Sequence, residues 1–140
     1  MTEADATPGP VSLVRQAFDA GNRRDLDAII GFHAPDAVWD LSDQGLGVFE
    51  GAGAIRGWLE GWFAAWADLR PDVRELSDLG EGLVFVRVLE AGGPRDGGGH
   101  VEQQRGWVVV AEHASIASIA IMLDPDRPIA AAERLAQERA

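Results

Sequence analysis

The stretch Gly51 to Trp66 (GAGAIRGWLEGWFAAW) constrains this chain most. Wound as an α-helix, it sets Ile55, Leu59, Trp62 and Trp66 on one face, with Trp58 and Phe63 at the margins. Such a face needs a large apolar surface to lie on. The strand-like segments that can supply one come later, between about Pro71 and Leu123, so the early helix predicts a later sheet onto which it folds back.

The rest of the chain fits that plan. Met1 to Pro10, punctuated by Pro8, Gly9 and Pro10, reads as a disordered tail, and the domain runs from residue 11 to 140. Val11, Val14, Ala17 and Phe18 recur at helical spacing, and Gly21-Asn22 reads as a stop. Asp25 is placed to cap a short helix over Leu26 to Phe32, which Ala34-Pro35-Asp36 ends. Ala37 to Leu41 is a short strand, Ser42 to Gly47 a loop, and Leu69-Arg70-Pro71 a break after the tryptophan helix. Asp72 to Leu79 alternates as a strand of mixed burial. Leu83 to Leu89 is apolar on both faces except at Arg87, as a strand covered on both sides is. The glycines of Ala91 to Gly99 make a hairpin connection. His100 to Ala111 returns as a long strand, with Val101, Gln103, Arg105, Trp107 and Val109 on one side. Ile116 to Leu123 is a last strand, apolar on both faces, and Ile129 to Arg139 a weakly amphipathic terminal helix, a lid or a frayed end.

The order implies an α+β fold with helices on one face of a curved, mostly antiparallel sheet. Because Leu83 to Leu89 and Ile116 to Leu123 are apolar on both faces, a second copy of the sheet is the simplest cover for the open face, which predicts a homodimer. The alternative is cover by the chain's own loops and tail.

Composition narrows the chemistry. A net charge of −11, from 23 acidic against 12 basic residues, repels phosphate backbones and anionic membrane surfaces, so neither nucleic acid nor membrane is an expected partner. The absence of cysteine excludes disulfides and a thiolate nucleophile and fits a cytoplasmic location. Every basic residue is an arginine and there is no tyrosine, which removes lysine bases, Schiff bases and phenol acids. The three histidines lack ligand spacing, so no metal is expected, and no glycine pattern after a strand calls for a nucleotide cofactor.

Phe32-His33-Ala34-Pro35-Asp36-Ala37-Val38-Trp39-Asp40, then Glu50-Gly51 and Ala54-Ile55-Arg56, and the hairpin Gly98-Gly99-His100-Val101-Glu102 leading into Trp107, resemble the nuclear transport factor 2-like superfamily and, within it, the SnoaL-like polyketide cyclase group. The resemblance covers Val11 to about Leu123. It implies a cone-shaped α+β barrel that holds a small apolar molecule, in a group containing isomerases, cyclases, dehydratases, epoxide hydrolases and proteins without chemistry. The better-known sites do not carry over. The ketosteroid isomerases' tyrosine is missing, their aspartate base falls near Leu41 and their other acid near Arg105. The late-strand acid of the cyclases and epoxide hydrolases has no counterpart in Ile119-Ala120-Ile121-Met122-Leu123.

Within that frame Asp40 is a candidate general base, its pKa raised by aromatic surroundings, or else an edge carboxylate that caps or pairs with an arginine. His100 is a candidate proton shuttle, or a solvated strand-end residue. Arg105 can stabilise developing negative charge or form an ion pair with Glu102, Asp40 or Glu75, and Arg87 raises the same question. Trp39, Phe49, Trp58, Trp62, Trp107 and Met122 are candidate ligand contacts, against the alternative of plain core. The functional expectation is a pocket for a small hydrophobic molecule, acting by proton transfer or water addition, with a non-catalytic binding protein or scaffold of the same fold as the alternative.

Overall fold

The computed structural model describes residues 9–66, 68–93 and 99–126, with the single positions 133, 137 and 138. The terminal helix expected over 129–139, the centre of the glycine hairpin and most of the N-terminal tail lie outside the described residues. Three helices, α1 (Pro10–Arg23), α2 (Leu26–Gly31) and α3 (Ala52–Ala65), pack on a curved sheet of β1 (His33–Asp40), β2 (Val48–Glu50), β3 (Arg70–Gly80), β4 (Leu83–Gly92), β5 (Val101–Glu112) and β6 (Ser115–Met122). The sheet order is β2-β1-β6-β5-β4-β3. β1 runs parallel to β6, and every other pair is antiparallel. This is the expected α+β plan.

The core lies where the helices meet the concave face. Val14 and Phe18 of α1 and Ile55 and Leu59 of α3 are buried with Val84, Val86 and Val88 of β4, Val109 of β5 and Ile119 and Ile121 of β6. The tryptophan face of α3 divides: Ile55 and Leu59 go into the core, while Trp58, Trp62 and Trp66 stay half-buried along its border. On the other side of the sheet Leu83 and Phe85 are fully buried within a single chain.

Several boundaries differ from the sequence reading, each for a local reason. Pro10 is the first residue of α1, where its missing N–H costs nothing, rather than the end of the tail. Gly21-Asn22 does not stop α1, because the Asn22 side chain donates to the Phe18 and Pro71 carbonyls and carries the helix one turn further. β1 begins at His33, four residues early, with a register shift before Val38 that absorbs Pro35. Pro71 lies inside β3, which tolerates it as an edge strand. Val48–Glu50, not foreseen as a strand, pairs with Val38, Trp39 and Asp40. Gly92 is a required glycine, since a Cβ there would run into Asp68 and Leu69 backbone.

The residue that ends α1 ties the layers together. Arg24 adopts a left-handed conformation (φ 56°), uncommon for a side-chain-bearing residue. Its guanidinium donates to the Phe63 carbonyl (3.1 Å), the Trp66 carbonyl and the Leu69 carbonyl (3.1 Å), and its Cζ lies 5.0 Å from the Phe63 ring centroid. One cation thus satisfies carbonyls at the C-terminal end of α3 and links them to the entry of β3. Arg24→Ala should therefore cost about 2–4 kcal/mol in urea unfolding, from lost charge-assisted bonds and stranded carbonyls. Arg24→Gly should cost about 1 kcal/mol less, because it relieves the left-handed backbone. Equal losses for the two would mean the backbone conformation carries no strain.

Candidate functional site

Strand alternation decides what the concave side carries. Val84 faces Val109 across the β4–β5 ladder, Val86 faces Trp107, Val88 faces Arg105 and Glu90 faces Gln103. Trp107 and Val109 in turn meet Ile121 and Ile119 on β6. Between this surface and helices α1 and α3 lies a cavity of about 110 Å³. A single water needs only about 10–15 Å³, so the space admits a small organic molecule. Its aromatic wall is Phe18, Trp39, Trp58, Trp62, Phe63 and Trp107, and its polar lining groups are His33, Gln44 and Glu90.

The aromatic residues form two groups. Trp107 packs against Phe18 (centroids 4.8 Å apart) and edge-on against Trp39 (5.8 Å, 72°). Along α3 a column runs from Phe49 to Trp58 (5.3 Å), Trp62 (5.8 Å) and Trp66 (5.7 Å). His33 holds the first group in place. Its Nε2 accepts from Trp39 Nε1 at 2.9 Å, so the ring proton sits on Nδ1, which donates to the Ile29 carbonyl at 2.8 Å. Burial pushes the imidazole pKa below its usual 6.5, against the opposing pull of the Ile29 carbonyl. Both nitrogens are committed, and the ring is a neutral structural pin.

Glu90 is the residue the sequence reading missed. It lies at the far end of β4 on the same parity as Val84, Val86 and Val88, which turns it inward. Burial raises its carboxyl pKa above the usual 4.5, opposed by a hydrogen bond from Gln103 Nε2 (3.2 Å) and by the charge of Arg105. The signal was in the strand's own alternation, but the strand was expected to end at Leu89.

Four expected contacts, Trp39, Trp58, Trp62 and Trp107, line the cavity. Phe49 does not, standing behind Trp58 in the α3 column. Asp40 also lies outside the lining. It accepts from Ser42 Oγ (2.5 Å) and Ser42 N (2.9 Å), and these bonds hold its carboxyl below the usual range, opposite to the raised value expected of a base. His100 is exposed and 3.3 Å from Glu102. Arg105 has the inward parity, yet its Nη1 donates to the Gln104 carbonyl, and it reaches the cavity only through its charge on Glu90. Arg87 and Met122 fall on the opposite parity and face away from the cavity, because a strand's side chains alternate with period two. Arg87 bridges Glu75 (3.2 Å) and Asp126 (2.7 Å) on that outer face, with its guanidinium 5.9 Å from the Phe85 ring. The two strand arginines therefore do not converge on a ligand. Among the described residues no group of three metal-ligating side chains gathers, and no helix is long and apolar enough to cross a membrane.

The two displaced pKa values have opposite consequences for stability. Unfolded chains protonate His33 near pH 6.5 while folded ones resist, so its contribution is complete above pH 6.5 and is lost as pH falls through the depressed folded value. For Glu90 the folded state holds the proton more tightly. Its stabilising contribution is present below pH 4.5 and lost as pH rises through the raised folded value. Glu90→Gln should hence be more stable than wild type by about 0.5–2 kcal/mol at pH 8, the gap narrowing with acidification. His33→Gln should flatten the decline below pH 6.5. Denaturant titrations at several pH values measure both, and a pH-independent gap for Glu90→Gln would mean the carboxylate is not desolvated.

Residues 14–117 match the family model of the SnoaL-like domain. Solved structures share the architecture. An NTF2-like protein of unknown function from Burkholderia pseudomallei superposes with a TM-score of 0.72 at 21% identity, covering 86% of this chain and 95% of that one. A polyketide cyclase candidate from Pseudomonas putida gives 0.70 at 15% identity (84% and 92% covered). An epoxide hydrolase of the LEH-like type from Mycobacterium tuberculosis gives 0.70 at 14% identity (82% of each chain). At these identities the likeness speaks to the fold alone. No curated protein matches by sequence.

Proposed function

The chain belongs to the SnoaL-like family, and we propose that it binds a small, neutral, largely apolar molecule in the tryptophan-walled cavity and moves a proton on it, with Glu90 as the general base. The observation that carries this reading is the position of Glu90: a carboxyl whose pKa is raised by burial, lining a largely apolar cavity. A base works best when its pKa approaches the operating pH, and desolvation moves Glu90 that way.

In the reaction, the Glu90 carboxylate removes a proton from a carbon made acidic by a neighbouring electron-withdrawing group. It then returns that proton to a second carbon, so that the net change is an isomerisation. The same carboxylate can instead take a proton from a water that adds to the ligand. Relatives of this fold described as a polyketide cyclase candidate and an epoxide hydrolase are compatible with either chemistry. Asp40, His100 and Arg105, the catalytic set expected from sequence, have supporting places at most: Arg105 keeps the Glu90 carboxyl from rising further.

The alternative is a binding protein that uses the cavity without chemistry. Self-association through the outer sheet face rests on the sequence pattern, since Leu83 and Phe85 are already buried within one chain.

Tryptophan fluorescence against a panel of small polycyclic ketones, epoxides and aromatic acids finds the ligand class, because four tryptophans line the cavity. Neutral compounds should quench saturably and aromatic acids should not, since the lining carries a carboxylate and no cation. On a ligand that is turned over, Glu90→Gln should lower kcat by about 10²–10⁴ while Kd moves less than about threefold. Undiminished turnover would remove Glu90 as the base. Binding with no turnover in either form would make the protein a carrier.

A further inference from the structure

We infer that Gln103 is the positioning residue for the proposed reaction: its side-chain amide holds one oxygen of the Glu90 carboxyl and leaves the other to take the ligand's proton. This rests on Glu90 being the base, as proposed above, and adds the group that aims it.

Gln103 stands directly opposite Glu90 in the β4–β5 ladder, and both residues are half-buried. Gln103 Nε2 donates to Glu90 Oε1 at 3.2 Å. Glu90 is part of the cavity lining and Gln103 is not, so the amide acts on a guest through the carboxyl. Glu90 Oε2 makes no hydrogen bond among the described residues. It is not sealed in either: the Trp107 indole nitrogen is buried without a partner among the described residues, and Oε2 does not share that state. One oxygen is thus tethered while the other keeps open surface. A carboxylate has about four lone-pair sites, so a single amide donor fixes its orientation without exhausting it.

The neutrality of the donor matters for a base. A guanidinium paired with the carboxylate would favour its charged form strongly and cost it basicity, whereas an amide orients it with a weaker pull. Among the described residues no cation is bonded to the Glu90 carboxyl. Arg105, two residues along β5 on the same face, gives its Nη1 to the Gln104 carbonyl and acts on Glu90 through its charge. On β3, Glu90 faces Pro71, and Arg70 and Asp72 fall on the opposite parity. Arg24 spends its guanidinium on the Phe63, Trp66 and Leu69 carbonyls. The parts of α1 and α3 that line the cavity carry no charged residue, and the other titratable lining group, His33, is neutral with both nitrogens committed. Gln103 is therefore the group that sets which way the carboxyl points.

The test follows the two side chains together by NMR in the ligand-free protein. The Gln103 side-chain ¹H–¹⁵N resonances should titrate with the Glu90 carboxyl ¹³C signal at one shared midpoint, and should cease to do so in Glu90→Gln. Gln103→Met keeps the length and removes the donor. Because the amide favours the charged carboxylate, its loss should move the Glu90 midpoint up by roughly 0.5–1 pH unit. On a ligand that is turned over, Gln103→Met should lower kcat roughly tenfold with KM within about twofold, and carry the acid limb of the rate profile upward by the same interval. Gln103 resonances indifferent to the Glu90 titration, with an unmoved midpoint in Gln103→Met, overturn the role of Gln103 and leave Glu90 as the base. Undiminished turnover in Glu90→Gln removes the base itself, and the role of Gln103 falls with it.

Discussion

The parallel pairing of β1 with β6 is the constraint on which the rest of the structure depends. It brings a strand that begins at His33 against one that ends at Met122, with His33 beside Ile116 and Trp39 beside Ile119. The Ile116 amide even donates to the Phe32 carbonyl, at 2.8 Å, where α2 gives way to β1. Because β6 also pairs with β5, this junction carries Trp39 to the edge of Trp107. Without it, β1 and β2 would have no place in the sheet and α3 would have no floor. Such a pairing closes a long loop before it is rewarded, and the contacts that reward it are the core itself: Ile116, Ile119 and Ile121 from β6 with Ile55 and Leu59 from α3.

Much of this architecture was legible in the sequence because it is written in periodicity. The two apolar faces of Leu83 to Leu89, the alternation of Val101 to Val109 and the helical spacing of Ile55 and Leu59 show which surfaces must be covered, and the covering builds the layers. What periodicity cannot supply is a partner. Nothing local says that β1 lies beside β6, and because the strand was expected to begin only at Ala37, the placing of His33 on it with Trp39 was invisible. Arg87 and Arg105 illustrate the same limit. Whether they share a face depends on the pairing of β4 with β5, which sets Arg87 opposite Gly106 and Arg105 opposite Val88, so only one of the two arginines ends near the cavity.

The site was less legible than the fold, for two distinct reasons. Asp40 was judged by its aromatic neighbour in sequence, whereas its protonation is set by Ser42, two residues on, whose backbone and hydroxyl both favour the charged form. Glu90 was lost to a boundary. Ending the strand at Leu89 removed the one residue whose parity, extended by a single step from Val88, turns a carboxylate into the apolar face. A polar residue at the end of an apolar run reads as the beginning of a loop, and here the strand continues past it to Gly92.

Glu90 and Trp107 also share an energetic character that sets them apart from the rest of the core. A buried donor without an acceptor costs about 1–3 kcal/mol, and a desolvated carboxylate is held against its preference for water. Two other polar groups of this cavity are settled: Trp39 by His33, and His33 by Ile29. A sequence selected for stability alone would place phenylalanine at 107 and glutamine at 90, losing little of the packing and removing both penalties. A desolvated carboxylate lining a cavity is the kind of local departure from good core chemistry that a site shaped by a guest would leave behind. On the reading proposed for the site, the acidic proton that Glu90 takes belongs to such a guest, and the desolvation that costs the empty fold would serve the reaction in the filled one.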